Sequence, residues 1–176
     1  NDQAEALALS QYQTASCMTE RLGALRQLVW NQSTHAASLL DDFRNRFEQE
    51  ALAMDLWFGV QAGNPATTAA DARLLTQHPL FDLGTPNRIR SVTGNFAANP
   101  VQVWTPDGMA FYANLAKILD EKNPVLGSRQ LQVLSRWYTL KEPLRQQALE
   151  ILQGLKTQLH SSSLVETLTN LLKMQS

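Results

Sequence analysis

The stretch GTPNRIRSVTGNF, Gly84 to Phe96, decides how this chain is read. Gly84-Thr85-Pro86 is a break followed by a start: glycine ends what precedes it, and a proline in the first helical turn lacks only an N–H that would have no partner there. Behind Pro86, the residues Ile89, Val92 and Phe96 share one stripe, so the segment is a helix with a buried face. Its two arginines do not share a side. Arg88 and Arg90 stand about 200° apart around the axis, cannot form one patch, and must serve different surroundings.

Working outward, the helical spacing of apolar residues continues through nearly the whole chain, and period-two alternation rich in valine, isoleucine and aromatics is absent. The fold class is therefore all-α. The pattern predicts about ten helices, near 3 to 14, 20 to 31, 35 to 49, 51 to 62, 68 to 78, 87 to 97, 106 to 121, 124 to 139, 143 to 158 and 164 to 174. Thr68 with Asp71 and Ser163 with Glu166 are spaced as capping boxes, while Thr105-Pro106 and Asn123-Pro124 each set a side-chain cap before a proline. Gly63-Asn64-Pro65 and Ala98-Asn99-Pro100 read as breaks.

Two predicted helices are one-sided, with stripes Leu144, Ala148, Ile151, Leu152, Leu155, Leu159 and Leu164, Val165, Leu168, Leu171, Leu172; these belong in an outer layer. Leu52 to Val60 and Val125 to Leu140 carry apolar residues on more than one face, as helices between neighbours do. Short connections between antiparallel helices suit either an irregular bundle or a stack of helix pairs. No fixed-period repeat decides between them.

The chain has 176 residues, enough to bury a substantial core as one domain without metals or disulfides. Hydrophobic residues make up 44% and charged residues 18%, and a net charge of -1 gives no footprint for nucleic acid or an anionic membrane. Cys17 is the only cysteine, which rules out an internal disulfide and a thiolate cluster for zinc. No apolar run reaches the roughly 20 residues that span a bilayer, and Asn1-Asp2-Gln3-Ala4-Glu5 is not a signal peptide. The expected location is cytoplasmic. The start without methionine, close to a helical pattern, points to a piece of a longer protein.

Candidate chemistry is sparse. His35, His78 and His160 include no pair four residues apart, there is no His-Glu-x-x-His, and polar histidines near helix ends are the simpler account. Ser161-Ser162-Ser163 beside His160 lacks a strand-turn-helix elbow and reads as a helix cap. Asp41-Asp42, Glu48 and Glu50 fall on a solvent face, Cys17 reads as a plain thiol, and Trp30, Trp57, Trp104 and Trp137 read as core. The arginines stand apart. Arg129, Gln132 and Arg136 share a polar face, which lets Arg129 project toward a partner while Leu134 and Trp137 pack. On residues alone these arginines are either ties to carboxylates and helix ends or ligand-holding groups.

Met18-Thr19-Glu20-Arg21 with Ala24-Leu25, Asp42-Phe43, Arg46-Phe47, Met54 to Phe58, Pro86 to Phe96 and Asn123 to Arg129 together resemble the C-terminal helical domain of bacterial aminopeptidase N, a zinc metallopeptidase of the gluzincin class. The match departs at Cys17, where the family usually has asparagine, and at Leu56, where it usually has lysine. The resemblance implies an armadillo- or HEAT-like superhelix of helix pairs, a single domain over 1–176 that is the later part of that C-terminal domain. It implies zinc, the catalytic glutamate and the transition-state tyrosine in an upstream domain that this chain contacts, and no cofactor or catalytic residue here. It further implies that Arg90 and Arg129 face the closed chamber and hold carboxylate or carbonyl groups of a peptide substrate. The fragment alone is expected to be inactive. The competing expectation is a free-standing helical-repeat module that binds a protein or peptide in a groove.

Overall fold

In the computed structural model, which describes residues 2–174, consecutive helices pack as pairs. The elements are α1 (Asp2–Thr14), α2 (Met18–Trp30), α3 (Ala36–Phe47), α4 (Ala51–Ala62), α5 (Ala69–Thr76), α6 (Pro86–Ala97), α7 (Pro100–Val103), α8 (Pro106–Lys122), α9 (Pro124–Gln132), α10 (Leu144–Gly154) and α11 (Ser162–Lys173). Among the described residues there is no strand. The pairs are α1 with α2, α3 with α4, α5 with α6, α8 with α9, and α10 with α11, and they stack in two layers. First helices touch along one layer (α5 to α8 to α10) and second helices along the other (α2 to α4 to α6, then α9 to α11). Between α6 and α9 the second layer opens.

Helix α6 is the wall between two cores. Its Val92 belongs to a cluster with Leu25, Leu28, Phe43, Met54 and Phe58, whereas its Ile89 and Phe96 belong to a larger cluster with Met109, Tyr112, Leu119, Leu131 and Trp137. Phe81, in the connection before α6, packs on both. A helix with a neighbour on each side must bury more than one face, which is why Arg88 goes inside along with the apolar stripe. The close approach of α8, α9 and α11 depends on Gly127: a Cβ there would lie 3.0 Å from Leu164 Cδ1 and 3.1 Å from the Ala116 carbonyl.

The caps at Thr68, Thr105 and Asn123 are as the sequence predicts: Thr68 accepts from Asp71 N in a full capping box, Thr105 from Gly108 N at 3.0 Å and Asn123 from Leu126 N at 3.2 Å. The expected count of about ten helices becomes eleven α-helices among the described residues, since the Ala98-Asn99-Pro100 break leads into the one-turn α7, whose Val103 is buried. Three readings need correction. The helix expected over 124–139 ends at Gln132, and a 3-10 turn at Trp137–Thr139 carries the buried Trp137 indole to the Leu171 carbonyl at 3.1 Å. The cap of α11 is Ser161, not Ser163; the Ser163 hydroxyl instead pairs with that of Ser128 at 2.8 Å. His78 is half-buried, 5.3 Å from the Trp57 ring, with Nδ1 accepting from Leu80 N. Burial first, then the charges of Arg44 and Arg88, hold its pKa below the usual histidine value.

Two smaller readings also change. Asp42 does not stand on a purely solvated face: it accepts from the Tyr12 hydroxyl at 2.9 Å and pairs with Arg46 at 2.7 Å. Trp57 and Trp137 are core residues, but Trp30 is 38% exposed and fixed by its Nε1–H donating to the Val60 carbonyl at 2.8 Å.

Cys17 sits at the N-cap of α2 in extended backbone and makes no side-chain cap hydrogen bond. A thiol is a weak acceptor, whereas an asparagine oxygen reaches a free first-turn amide. Cys17→Asn should therefore raise stability by about 1 kcal/mol, seen as a Tm about 2–4 °C higher in thermal unfolding. An unchanged or lower Tm would mean that the cap geometry at this end differs.

Candidate functional site

The opening between α6 and α9 is the candidate site. Pro86 and Pro124 start these two helices, and one turn later each presents an arginine outward, Arg90 from α6 and Arg129 from α9. Both line one groove of about 290 Å³. Among the described residues neither guanidinium makes a hydrogen bond or an ion pair.

Arg88 has the opposite fate, as its position around the axis requires. It is 8% exposed, its Nε donates to Asp55 Oδ1 at 2.5 Å, its NH1 group donates to the Leu80 carbonyl, and the guanidinium lies 5.1 Å over the Phe58 ring. Of the two readings open for the arginines, Arg88 is the tie to a carboxylate, and Arg90 and Arg129 are unengaged. Arg136, expected beside Arg129, does not line this groove.

Ile89, Ala97, Leu126 and Val133 give the groove an apolar floor, into which two polar residues are set. Thr93 and Gln130 are 4% and 5% exposed. The Thr93 carbonyl accepts from the Tyr112 hydroxyl at 2.7 Å and Gln130 Nε2 donates to the Leu126 carbonyl at 3.1 Å. Among the described residues Thr93 Oγ1 and Gln130 Oε1 have no partner, and neither is sealed from solvent. Both atoms are open to a partner from the groove, water or ligand. Two cations at the rim and two spare polar atoms on an apolar floor suit a flexible anion carrying amide groups, such as the end of a peptide.

Thr93 and Gln130 were not singled out from the sequence, yet the signal is there. Arg90, Thr93, Gly94 and Ala97 recur at helical spacing on α6, and Leu126, Arg129, Gln130 and Val133 do so on α9. The other candidates stay apart: His35 precedes α3, His78 follows α5 and His160 precedes α11. Among the described residues no group of three or more histidine, cysteine, aspartate or glutamate side chains could hold a metal ion. Nor is any described helix long and apolar enough to cross a membrane.

Residues 1–173 match a family described as a domain of unknown function (DUF3458_C) with ARM repeats. The chain is 34% identical over 176 residues to aminopeptidase N of Escherichia coli strain K12, covering 96% of this chain and 20% of that protein. It is 31% identical to aminopeptidase N of Haemophilus influenzae, with 82% of this chain and 17% of that one aligned. Aminopeptidase N of Caulobacter vibrioides is 33% identical over 77% of this chain and 16% of its own length. The chain thus spans about a fifth or less of the relatives it matches. Its backbone is like part of the crystal structure of Legionella pneumophila aminopeptidase A in complex with aspartic acid, with a TM-score of 0.87 at 23% identity over 97% of this chain and 21% of that one.

Proposed function

Because the chain belongs to the DUF3458_C family of ARM-repeat domains and is homologous to part of aminopeptidase N, we propose that it is the non-catalytic C-terminal helical domain of a zinc aminopeptidase. In this reading the metal and the groups that cleave the peptide bond belong to an upstream domain against which this chain closes. Among the described residues of this chain the histidines and acids do not gather into a group that could hold that metal. The chain closes the chamber, excludes bulk water and large substrates, and shapes the path of peptides.

One observation carries the reading: Arg90 and Arg129, drawn from two helices 39 positions apart, rim the same groove with neither guanidinium engaged. A guanidinium pair there would hold the carboxylate or a carbonyl of a peptide beyond the scissile bond. The site contributes binding rather than bond-making, so it acts only on substrates long enough to reach it.

In the longer protein, replacing either arginine by alanine should lower kcat/KM for tripeptides and longer peptides by roughly ten- to a hundredfold. A one-residue chromogenic substrate should be spared. If both substrate classes fall together with the melting temperature, the arginines are structural ties; if neither falls, they do not reach the substrate. A reading frame without a His-Glu-x-x-His upstream of this chain would instead favour the stand-alone peptide-binding module.

A further inference from the structure

On the other flank of α6 lies a second groove of about 440 Å³, between α2, α4 and α6. Leu22, Leu56 and Val60 give it apolar walls, and the half-exposed Trp30 stands at one side with the Arg26 guanidinium 5.4 Å over its ring. The Trp30 ring is not mobile cover, since its Nε1–H is tied to the Val60 carbonyl at 2.8 Å. Gly23 keeps the space open. It lies inside α2, where glycine costs about 0.5–1 kcal/mol relative to alanine, yet a Cβ there would have nothing within 4 Å. Packing does not ask for that glycine.

Of the charges around this groove, Asp55 is already paired with Arg88, while Arg26 lies over Trp30 and keeps its charge. A flat neutral ring would cover the exposed indole and the leucines, whereas a carboxylate would find a single partner, Arg26, beside those apolar walls. The groove's polar edge is formed by Thr19, Ser91 and Asn95, whose Nδ2 gives one of its two hydrogens to the Ser91 carbonyl. The two grooves are separated only by α6. Its exposed ridge carries Gly94, where a Cβ would meet only Arg90 Cγ at 3.5 Å, so an extended chain could cross close to the helix backbone.

We infer that the α2–α4–α6 groove is a specificity subsite that takes an aromatic side chain of the same peptide whose anionic or carbonyl group is held by Arg90 and Arg129. The inference rests on the proposed function. A helix is about 10 Å across and an extended chain advances about 3.3 Å per residue, so the aromatic residue lies about three residues from the group at the arginines.

The test uses the longer protein and a set of alanine hexapeptides in which phenylalanine is walked through each position after the first. One position should be preferred by about tenfold in kcat/KM over the all-alanine peptide, as burial of an aromatic ring predicts. Gly23→Leu, which fills the groove from an unobstructed position, should abolish that preference while leaving the all-alanine peptide and a one-residue reporter unchanged; Trp30→Ala should do the same by removing the wall. No preferred position, or a phenylalanine preference that survives both variants, would overturn the subsite while reporter hydrolysis keeps the aminopeptidase reading. Failure to hydrolyse reporter and peptides alike would overturn both.

Discussion

Replacing Arg88 by alanine is expected to cost about 3–5 kcal/mol of folding stability, the range found when one member of a buried ion pair is removed. The side chains of Arg88 and Asp55 are 10% and 15% exposed, so the carboxylate left behind would be almost out of water with its positive partner gone. Three further losses come with it: the Leu80 carbonyl, the Ala51 carbonyl and the Phe58 ring each lose the same guanidinium. These contacts tie α4, α6 and the connection before α6 together, at the wall between the two cores. For a chain of this size the change corresponds to a drop in Tm of roughly 6–20 °C. Arg88→Met combined with Asp55→Leu should be less damaging than Arg88→Ala alone, because no charge is stranded. Chemical unfolding followed by helical circular dichroism checks both. A loss below about 1 kcal/mol for the single variant would mean that water reaches Asp55 and that the pair behaves like a surface one.

The comparison of Arg88 with Arg90 shows what was legible in the sequence. Their angular separation on α6 required different surroundings, and the structure gives one a buried carboxylate and the other an open groove. Local spacing cannot say which arginine goes inside, because that depends on Asp55 arriving from 33 positions away. The same limit explains α11. A serine followed three residues later by glutamate fits a capping box at Ser163, but the helix is capped at Ser161, which Asp120 of α8 fixes from across the fold. It explains Trp30 as well: an aromatic at helical spacing among aliphatic residues reads as core, and only the stacking of α2 on α4, and of α4 on α6, leaves it beside a groove. Helix existence and the caps at Thr68, Thr105 and Asn123 came through because they are settled within one turn. The groove did not, since Arg90 and Arg129 meet only through stacking.

Asp120→Ala is expected to cost about 3 kcal/mol, with a cause that can be separated from simple loss of packing. Asp120 is 5% exposed and accepts from His160 N at 2.6 Å, from Ser161 N at 3.1 Å and from the Ser161 hydroxyl. Burial alone would raise its pKa; the hydrogen bonds from the Ser161 hydroxyl and the two amides outweigh it and hold the carboxyl below its ordinary value. The sign follows from that direction. A folded pKa below the unfolded one, about 3.9, means that the carboxylate's contribution is fully present above about pH 4 and is lost as pH falls through the folded value. Asp120→Asn keeps one acceptor and no charge, so it should cost less than alanine at pH 7 and lose less further stability than the parent between pH 5 and pH 3. Asp42 and Asp82 also have lowered pKa values, so the parent's acid sensitivity is shared, and the difference between the parent and Asp120→Asn isolates this residue. Urea midpoints at pH 7, 5 and 3 for the three proteins give the comparison. Parallel acid losses in the parent and Asp120→Asn would show that the carboxylate's charge is not what holds the start of α11. The consequence reaches the candidate site, because Leu164, on the first turn of α11, packs over Gly127 of α9, two residues before Arg129.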